Sequence, residues 1–156
     1  MARDEPQRPI TDREAIKELR AAYGYHIDNQ EWEAFRNLFT DDAVLDYGEN
    51  IGRQEGQEGL EFFTDYVDER VETGMHMMHN PIIDVDGETA TGRWYVDARE
   101  SFGNGQTGLT AGEYHDTYRR VDGSWKFAAI DFTVHYQFVY DESQELETLR
   151  RRSRTD

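Results

Sequence analysis

Apolar positions along this chain change their period near residue 74. Before that point Ile16, Leu19, Tyr23 and Ile27 recur at helical spacing. Thr11-Asp12-Arg13-Glu14 just ahead of them has the form of a capping box, with the Thr11 hydroxyl accepting from the Glu14 amide while the Glu14 side chain reaches back. The pattern predicts a first helix over 11–27. A second, short helix should carry Trp32, Phe35 and Phe39 on one face, be interrupted at Asp41-Asp42, and give way to a short strand over 43–47. The stretch 48–59 is polar and glycine-rich and reads as a loop. Leu60, Phe63, Val67 and Val71 mark a third helix closed by Gly74.

After Gly74 the period becomes two. Strands are expected over 75–85, 89–102, 108–121 and 124–138, broken at Asp86-Gly87, Gly103-Asn104-Gly105 and Asp122-Gly123, all strong hairpin signals. Three N-terminal helices followed by an antiparallel meander define an α+β fold. A long, curved, mostly antiparallel sheet wrapped around those helices would form a cone with a pocket between the layers. One domain is expected over 11–140, with a flexible arm at 1–10 and a charged tail at 141–156. The chain has no internal repeat and no low-complexity segment.

Composition narrows the function classes. The net charge is −16, from 33 acidic against 17 basic residues, and only Lys17 and Lys126 are lysines. Such a surface repels nucleic acid and anionic membranes, because the phosphate term has the wrong sign. It also suits a high-salt cytoplasm, where self-repulsion is screened. Arginine-rich codon usage with ordinary acidity is the alternative reading. The chain has no cysteine, which excludes disulfides, thiolate nucleophiles and cysteine zinc sites. Its apolar runs are far shorter than the roughly 20 residues of a membrane span. The polar start MARDEPQRP lacks the apolar segment of a signal peptide. A cytoplasmic location is expected.

Candidate chemistry concentrates in MHMMHNPIIDVDGETATGRWYVDARE, residues 75–100. Side chains alternate along a strand, so His76 and His79 should point to opposite faces. An imidazole directed into the cone can serve as general base and later as acid; His76 has that position, and His79 is expected to be structural. Trp94, Val96 and Ala98 share a face, as do Gly112, Tyr114 and Asp116, and these sets should line the pocket. Arg93, Asp97 and Arg99 should face outward. Asp28 lies where one helix ends, and it could also cap the next. Tyr23 lies on the apolar face of the first helix, where a tyrosine is ordinarily core. No convergent three-ligand set is visible around His76 and His79 or around His26 and Asp28, so no metal is expected.

The segments AAYGYHIDNQEW, LFTDDAVLDYG, MHMMHNPIIDVDGETATGRWY and GEYHDTYRRVDGSWKFAAI, in that order over residues 14–140, resemble the SnoaL-like branch of the nuclear transport factor 2-like, or cystatin-like cone, superfamily. Within it the chain is most similar to the bile-acid dehydratases and, more distantly, to scytalone dehydratase. The resemblance implies a small apolar or cyclic carbonyl ligand held in the cone, and elimination of water with no metal and no organic cofactor. It implies His76 and Asp28 as a hydrogen-bonded catalytic pair, with Tyr23 and Tyr47 polarising the carbonyl. Phe63, Trp94, Val96, Ala98 and Tyr114 would contact substrate, and the protein would form a homo-oligomer, a dimer or trimer. The chain also departs from the pattern. The bile-acid enzymes place a further Asp where Ala98 stands, beside Asp97 on the opposite face, and a basic residue where Val134 stands. Scytalone dehydratase has a second His on its RWY-type strand that nothing here clearly replaces, and Ile27 stands where it has a Tyr.

Two function classes follow. One is a cofactor-free dehydratase-like lyase, or a related isomerase or hydrolase, in which His76 removes an α-proton and the imidazolium protonates the leaving hydroxyl. The other is a non-catalytic cone that binds a small molecule or serves as an assembly subunit. Fold alone does not separate them. Burial of three polar groups in one cavity would favour the enzyme.

Overall fold

The computed structural model describes residues 10–141. The expected arm therefore lies outside the described residues except for Ile10, and the expected tail except for Asp141. The first helix, α1, is Asp12–Asp28, and the Thr11–Glu14 capping box closes its N-terminus. Its inward stripe is Ile16, Leu19, Arg20, Tyr23, Gly24 and Ile27, all buried. The apolar period identified every member of this stripe except Arg20 and Gly24.

Two boundaries differ from the sequence reading. The second helix, α2, is only Trp32–Arg36, and Phe39 belongs to strand β1, Phe39–Asp46, which contains Asp41 and Asp42. Those two aspartates sit at an irregularity in the pairing of β1 between Phe39 and Val44. An aromatic four residues beyond Phe35 fits a helix or a strand end equally well, and here tertiary pairing decides. The expected loop at 48–59 is also structured. It holds a one-turn helix α3, Gly48–Ile51, strand β2, Arg53–Glu55, and the start of α4, Gly56–Arg70. Strand β2 pairs antiparallel with β1 from Val44↔Glu55 to Asp46↔Arg53. Three residues are too few to show a period of two, so pattern reading passes over such a strand. There are thus four helices among the described residues rather than three.

The remaining strands are β3, Val71–Asp86, β4, Thr89–Phe102, β5, Gln106–Val121, and β6, Ser124–Asp141. Strand β3 begins at Val71, so Gly74 lies inside a strand and does not close a helix. The three hairpin breaks stand where expected. Asp122 and Gly123 both have positive φ, 50° and 82°, as a two-residue turn that matches strand twist requires. The sheet runs β2-β1-β6-β5-β4-β3. All neighbours are antiparallel except β1 and β6, which are parallel. Helices α1 and α4 cover the concave face, and the core lies between them and Leu45, Ile83, Trp94, Val96, Tyr114, Tyr118, Phe127 and Ile130.

Helix α1 crosses the sheet very near β3. A Cβ added to Gly24 would stand 3.3 Å from the His76 carbonyl oxygen and 3.7 Å from the Met78 terminal methyl. The absence of a side chain at Gly24 therefore sets how closely the end of α1 approaches the His76 backbone.

Candidate active site

The end of α1 delivers Asp28 to His76. One carboxylate oxygen lies 2.6 Å from His76 Nδ1, and the other accepts the His76 backbone N–H at 2.8 Å. The carboxylate thus fixes both the ring and the strand that carries it. Because a carboxylate only accepts, Nδ1 carries the proton and Nε2 is left as the basic nitrogen. Both side chains are largely buried, 10% exposed for His76 and 17% for Asp28. Space for this contact comes from Gly74: a Cβ there would be 3.1 Å from the Asp28 oxygen. Asp28 does not cap α2, whose N-cap is Glu31. Its carboxylate is committed to His76, so the capping alternative is set aside.

His76 opens into a cavity of about 120 Å³ lined by Tyr23, Tyr47, Phe63, Ala98, Glu100 and Thr110, among others. Tyr23 and Tyr47 are buried and their hydroxyls hydrogen-bond one another. Burial pushes both phenols well above their ordinary range, so both stay protonated at neutral pH. Tyr23 also hydrogen-bonds Tyr114, so of this pair it is the Tyr47 hydroxyl whose proton can reach an oxygen in the cavity. Phe63 stacks on Tyr47, with ring centroids 4.8 Å apart. His79 is exposed and lies across from Tyr95 on the outer face. The strand alternation that separated it from His76 holds. Arg93 and Arg99 also face out and are exposed, and Asp97 is half-buried.

The expected lining set holds only in part. Ala98 and Phe63 line the cavity; Trp94, Val96 and Tyr114 do not. All three are on the concave face and buried; Arg20 and Tyr23 of α1 lie against Tyr114, and Trp94 is bonded to Tyr118. Alternation reports the face a residue points to, not how far along the strand the cavity extends.

Below the cavity lies a polar layer that the sequence reading missed. Arg20 is fully buried and donates to an Asp116 oxygen at 2.7 Å. Tyr118 donates to the other oxygen at 2.6 Å, and Trp94 Nε1 donates to the Tyr118 hydroxyl at 2.9 Å. The guanidinium lies 3.7 Å from the Tyr114 ring centroid and 4.6 Å from that of Tyr23. Burial opposes charge on Arg20, but the Asp116 carboxylate overrides it and holds Arg20 cationic. Burial raises the Asp116 carboxyl, while Arg20 and the Tyr118 hydroxyl pull it back down. The helical period does place Arg20 with Ile16 and Tyr23. A fully buried arginine is rare enough that periodicity alone discounts it.

Glu100 was missed as well. It stands two residues beyond Ala98, on the same face, and lines the cavity with His76. Burial raises its carboxyl above the ordinary glutamate range, against a lowering pull from His76. The departure noted at Ala98 is therefore accompanied by a carboxyl one step further along the strand. Period two would have found it, had the concave face been followed past Ala98. Among the described residues no group of three or more His, Asp or Glu side chains is arranged to hold a metal ion. No described helix is long and apolar enough to cross a membrane.

A curved six-stranded sheet wrapped on one side by helices defines the nuclear transport factor 2-like class of fold. The chain belongs to the SnoaL-like domain family, which matches residues 8–131. It is similar to a Novosphingobium aromaticivorans protein provisionally assigned as a scytalone dehydratase, with 27% identity over 81% of this chain and 85% of that one, and a TM-score of 0.75. It is also similar to a provisionally assigned aromatic ring hydroxylase from the same species, with 28% identity, 83% and 93% coverage and a TM-score of 0.77. A hexachlorocyclohexane dehydrochlorinase, LinA-type3, from Novosphingobium barchaimii is 26% identical over 82% of this chain and 89% of that one, with a TM-score of 0.73. Dehydratase-like lyases thus stand among its structural relatives. These three do not include a bile-acid dehydratase, the subgroup that the sequence segments resemble most.

Proposed function

We propose that this protein is a lyase that eliminates a small leaving group from a cyclic carbonyl compound by acid–base chemistry of its own side chains. The observation that carries this reading is the two-point grip of Asp28 on His76 inside a cavity shared with two protonated tyrosines. His76 Nε2 takes the proton α to the carbonyl. The Tyr47 hydroxyl hydrogen-bonds the oxygen on which enolate charge develops, and the Arg20 cation beneath the rings supports that charge electrostatically. Asp28 orients the imidazole and stabilises the imidazolium, as the aspartate of a catalytic triad does.

Volume limits the substrate. A cavity of about 120 Å³ is comparable to one of about 150 Å³ that takes up benzene. It matches one six-membered ring, and a fused polycycle would have to extend beyond the mouth. The class of relatives supports elimination, with water or halide as the leaving group.

The test is a panel of hydroxylated and halogenated cyclic ketones, monitored for formation of the conjugated enone. His76→Ala should lower turnover about 10²–10⁴-fold. Asp28→Asn should lower kcat strongly while leaving the fold intact. His79→Ala should leave the rate unchanged. Full activity in His76→Ala would exclude this base.

A further inference from the structure

The cavity contains one ionisable group that the His76–Asp28 pair leaves unused. Glu100 enters it from β4, half-buried, and none of the described side chains hydrogen-bonds it. Its setting in the sheet is unusual. Its cross-strand partner on β3 is Gly74 and its partner on β5 is Gly108. Residues directly opposite in an antiparallel sheet share a face, so no side chain stands directly opposite Glu100 on either strand; the space over Gly74 is taken by Asp28 and His76, and that over Gly108 by the Phe102 ring. Its carboxyl is left to the cavity. His76 is one step away on the same face, opposite Ala98.

We propose that Glu100 is the proton donor to the leaving group, forming with His76 a two-group acid–base pair in a single cavity. This rests on the lyase reading above and adds a second catalytic residue to it. The ionisable groups facing Glu100 are His76 on β3, Asp28 at the end of α1, and the hydroxyls of Tyr23 on α1 and Tyr47 after β1. Burial and the Asp28 carboxylate favour its protonated form, and a charged imidazole opposes it.

The step balances as follows in atoms and electrons. His76 Nε2 takes the α-proton, and the C–H electron pair becomes the new C=C bond by way of the enolate. The C–O bond breaks with its pair on oxygen, and the Glu100 carboxyl proton converts the departing hydroxide into water. An imidazolium and a Glu100 carboxylate remain. One proton passing from the first to the second restores both groups. Chloride leaves without a proton, so Glu100 matters for a hydroxyl leaving group and little for a halide.

Two measurements test this on the intact chain. In the first, 3-hydroxycyclohexanone and 3-chlorocyclohexanone are compared as probes with the native protein, Glu100→Gln, Glu100→Asp and His76→Ala, each corrected for uncatalysed loss. Glu100→Gln should lose about 10²-fold or more on the hydroxy ketone and keep most of its rate on the chloro ketone, with Glu100→Asp in between. In the second, infrared difference spectra of native protein against Glu100→Gln are followed over pH without substrate. The carboxylic acid carbonyl band of Glu100 should persist above the ordinary glutamate range, centred at about pH 4.3. Equal losses on both ketones would make Glu100 structural and overturn the proposal while leaving the lyase reading intact. A band lost within the ordinary range would overturn it too, since an ionised carboxylate has no proton to give. Absence of His76-dependent turnover with either probe would instead remove the lyase reading, and the donor role with it.

Discussion

Replacing Asp116 by Asn leaves the Arg20 cation in the core with its charge unmatched. Both side chains of this pair are 0% exposed, so neither solvent nor salt can take over. Arg20 Nε and one terminal nitrogen have no hydrogen-bond partner even in the native chain, so Asp116 holds most of what compensates the charge. Removing one member of a buried pair costs about 3–5 kcal/mol. A domain of this size is stable by about 5–15 kcal/mol, so Asp116→Asn should remove roughly a fifth or more of that. The melting temperature should fall by roughly 6–20 °C, at about 2–4 °C per kcal/mol. Urea denaturation followed by circular dichroism gives the difference directly, and it should be the same at low and high salt. The double variant Arg20→Met/Asp116→Leu should recover much of the loss, because it removes both charges and keeps the volume. A loss below about 1 kcal/mol in Asp116→Asn, or no recovery in the double variant, would refute the claim that this pair is a buried, compensated charge.

Further outcomes follow from the same geometry. Gly74→Ala should place a methyl carbon against the Asp28 carboxylate, 3.1 Å from its oxygen; the melting temperature should hold or rise slightly while kcat falls about 10–100-fold, and unchanged kcat would show that the grip of Asp28 tolerates displacement. The raised Glu100 carboxyl binds its proton more tightly in the folded state. Native stability should therefore decline as pH rises from the ordinary glutamate value towards the raised one. Glu100→Gln should lack that decline, so its stability advantage over the native chain should grow across this window and level off above it, as read by denaturant midpoints at several pH values. The net charge of −16 predicts a melting temperature that climbs from low salt to molar salt, as the screening length falls from about 10 Å to about 3 Å; a flat profile would remove the high-salt reading of the composition.

The cone was legible because it rests on strong local signals, and the Asp28–His76 pair because the family resemblance pointed to it. The capping box, the Ile16–Ile27 stripe and the glycine turns are each written in a few adjacent residues, and the structure places them where the sequence does. His76 and His79 separate because strand alternation has no exceptions between them. The missed features depend on elements far apart in sequence. Arg20 is stable in the core only because Asp116 arrives from β5. Strand β2 exists only because β1 is there to pair with it. Trp94, Val96 and Tyr114 were expected at the pocket because their face is legible, yet the position of α1 along that face decides which positions remain open.

The one parallel pairing in the sheet constrains how the site comes into being. Strand β1 cannot join the meander except through β6, which lies between β1 and β5. Asp28, Tyr23 and Tyr47 belong to the part of the chain before β3; His76 and Glu100 belong to the hairpin of β3 and β4. During synthesis the two parts can each form early, the helices with β1 and β2, and the hairpin of β3 and β4. Until residues 124–141 are made, each part presents an unpaired strand edge. The chain should therefore fold slowly for its size, since β1 and β6 meet across more than 80 residues. The exposed edges make the interval before that meeting the period of greatest risk of aggregation. Chemistry and fold are completed by the same late event, so a chain interrupted before β6 would lack a finished sheet and a working cavity together.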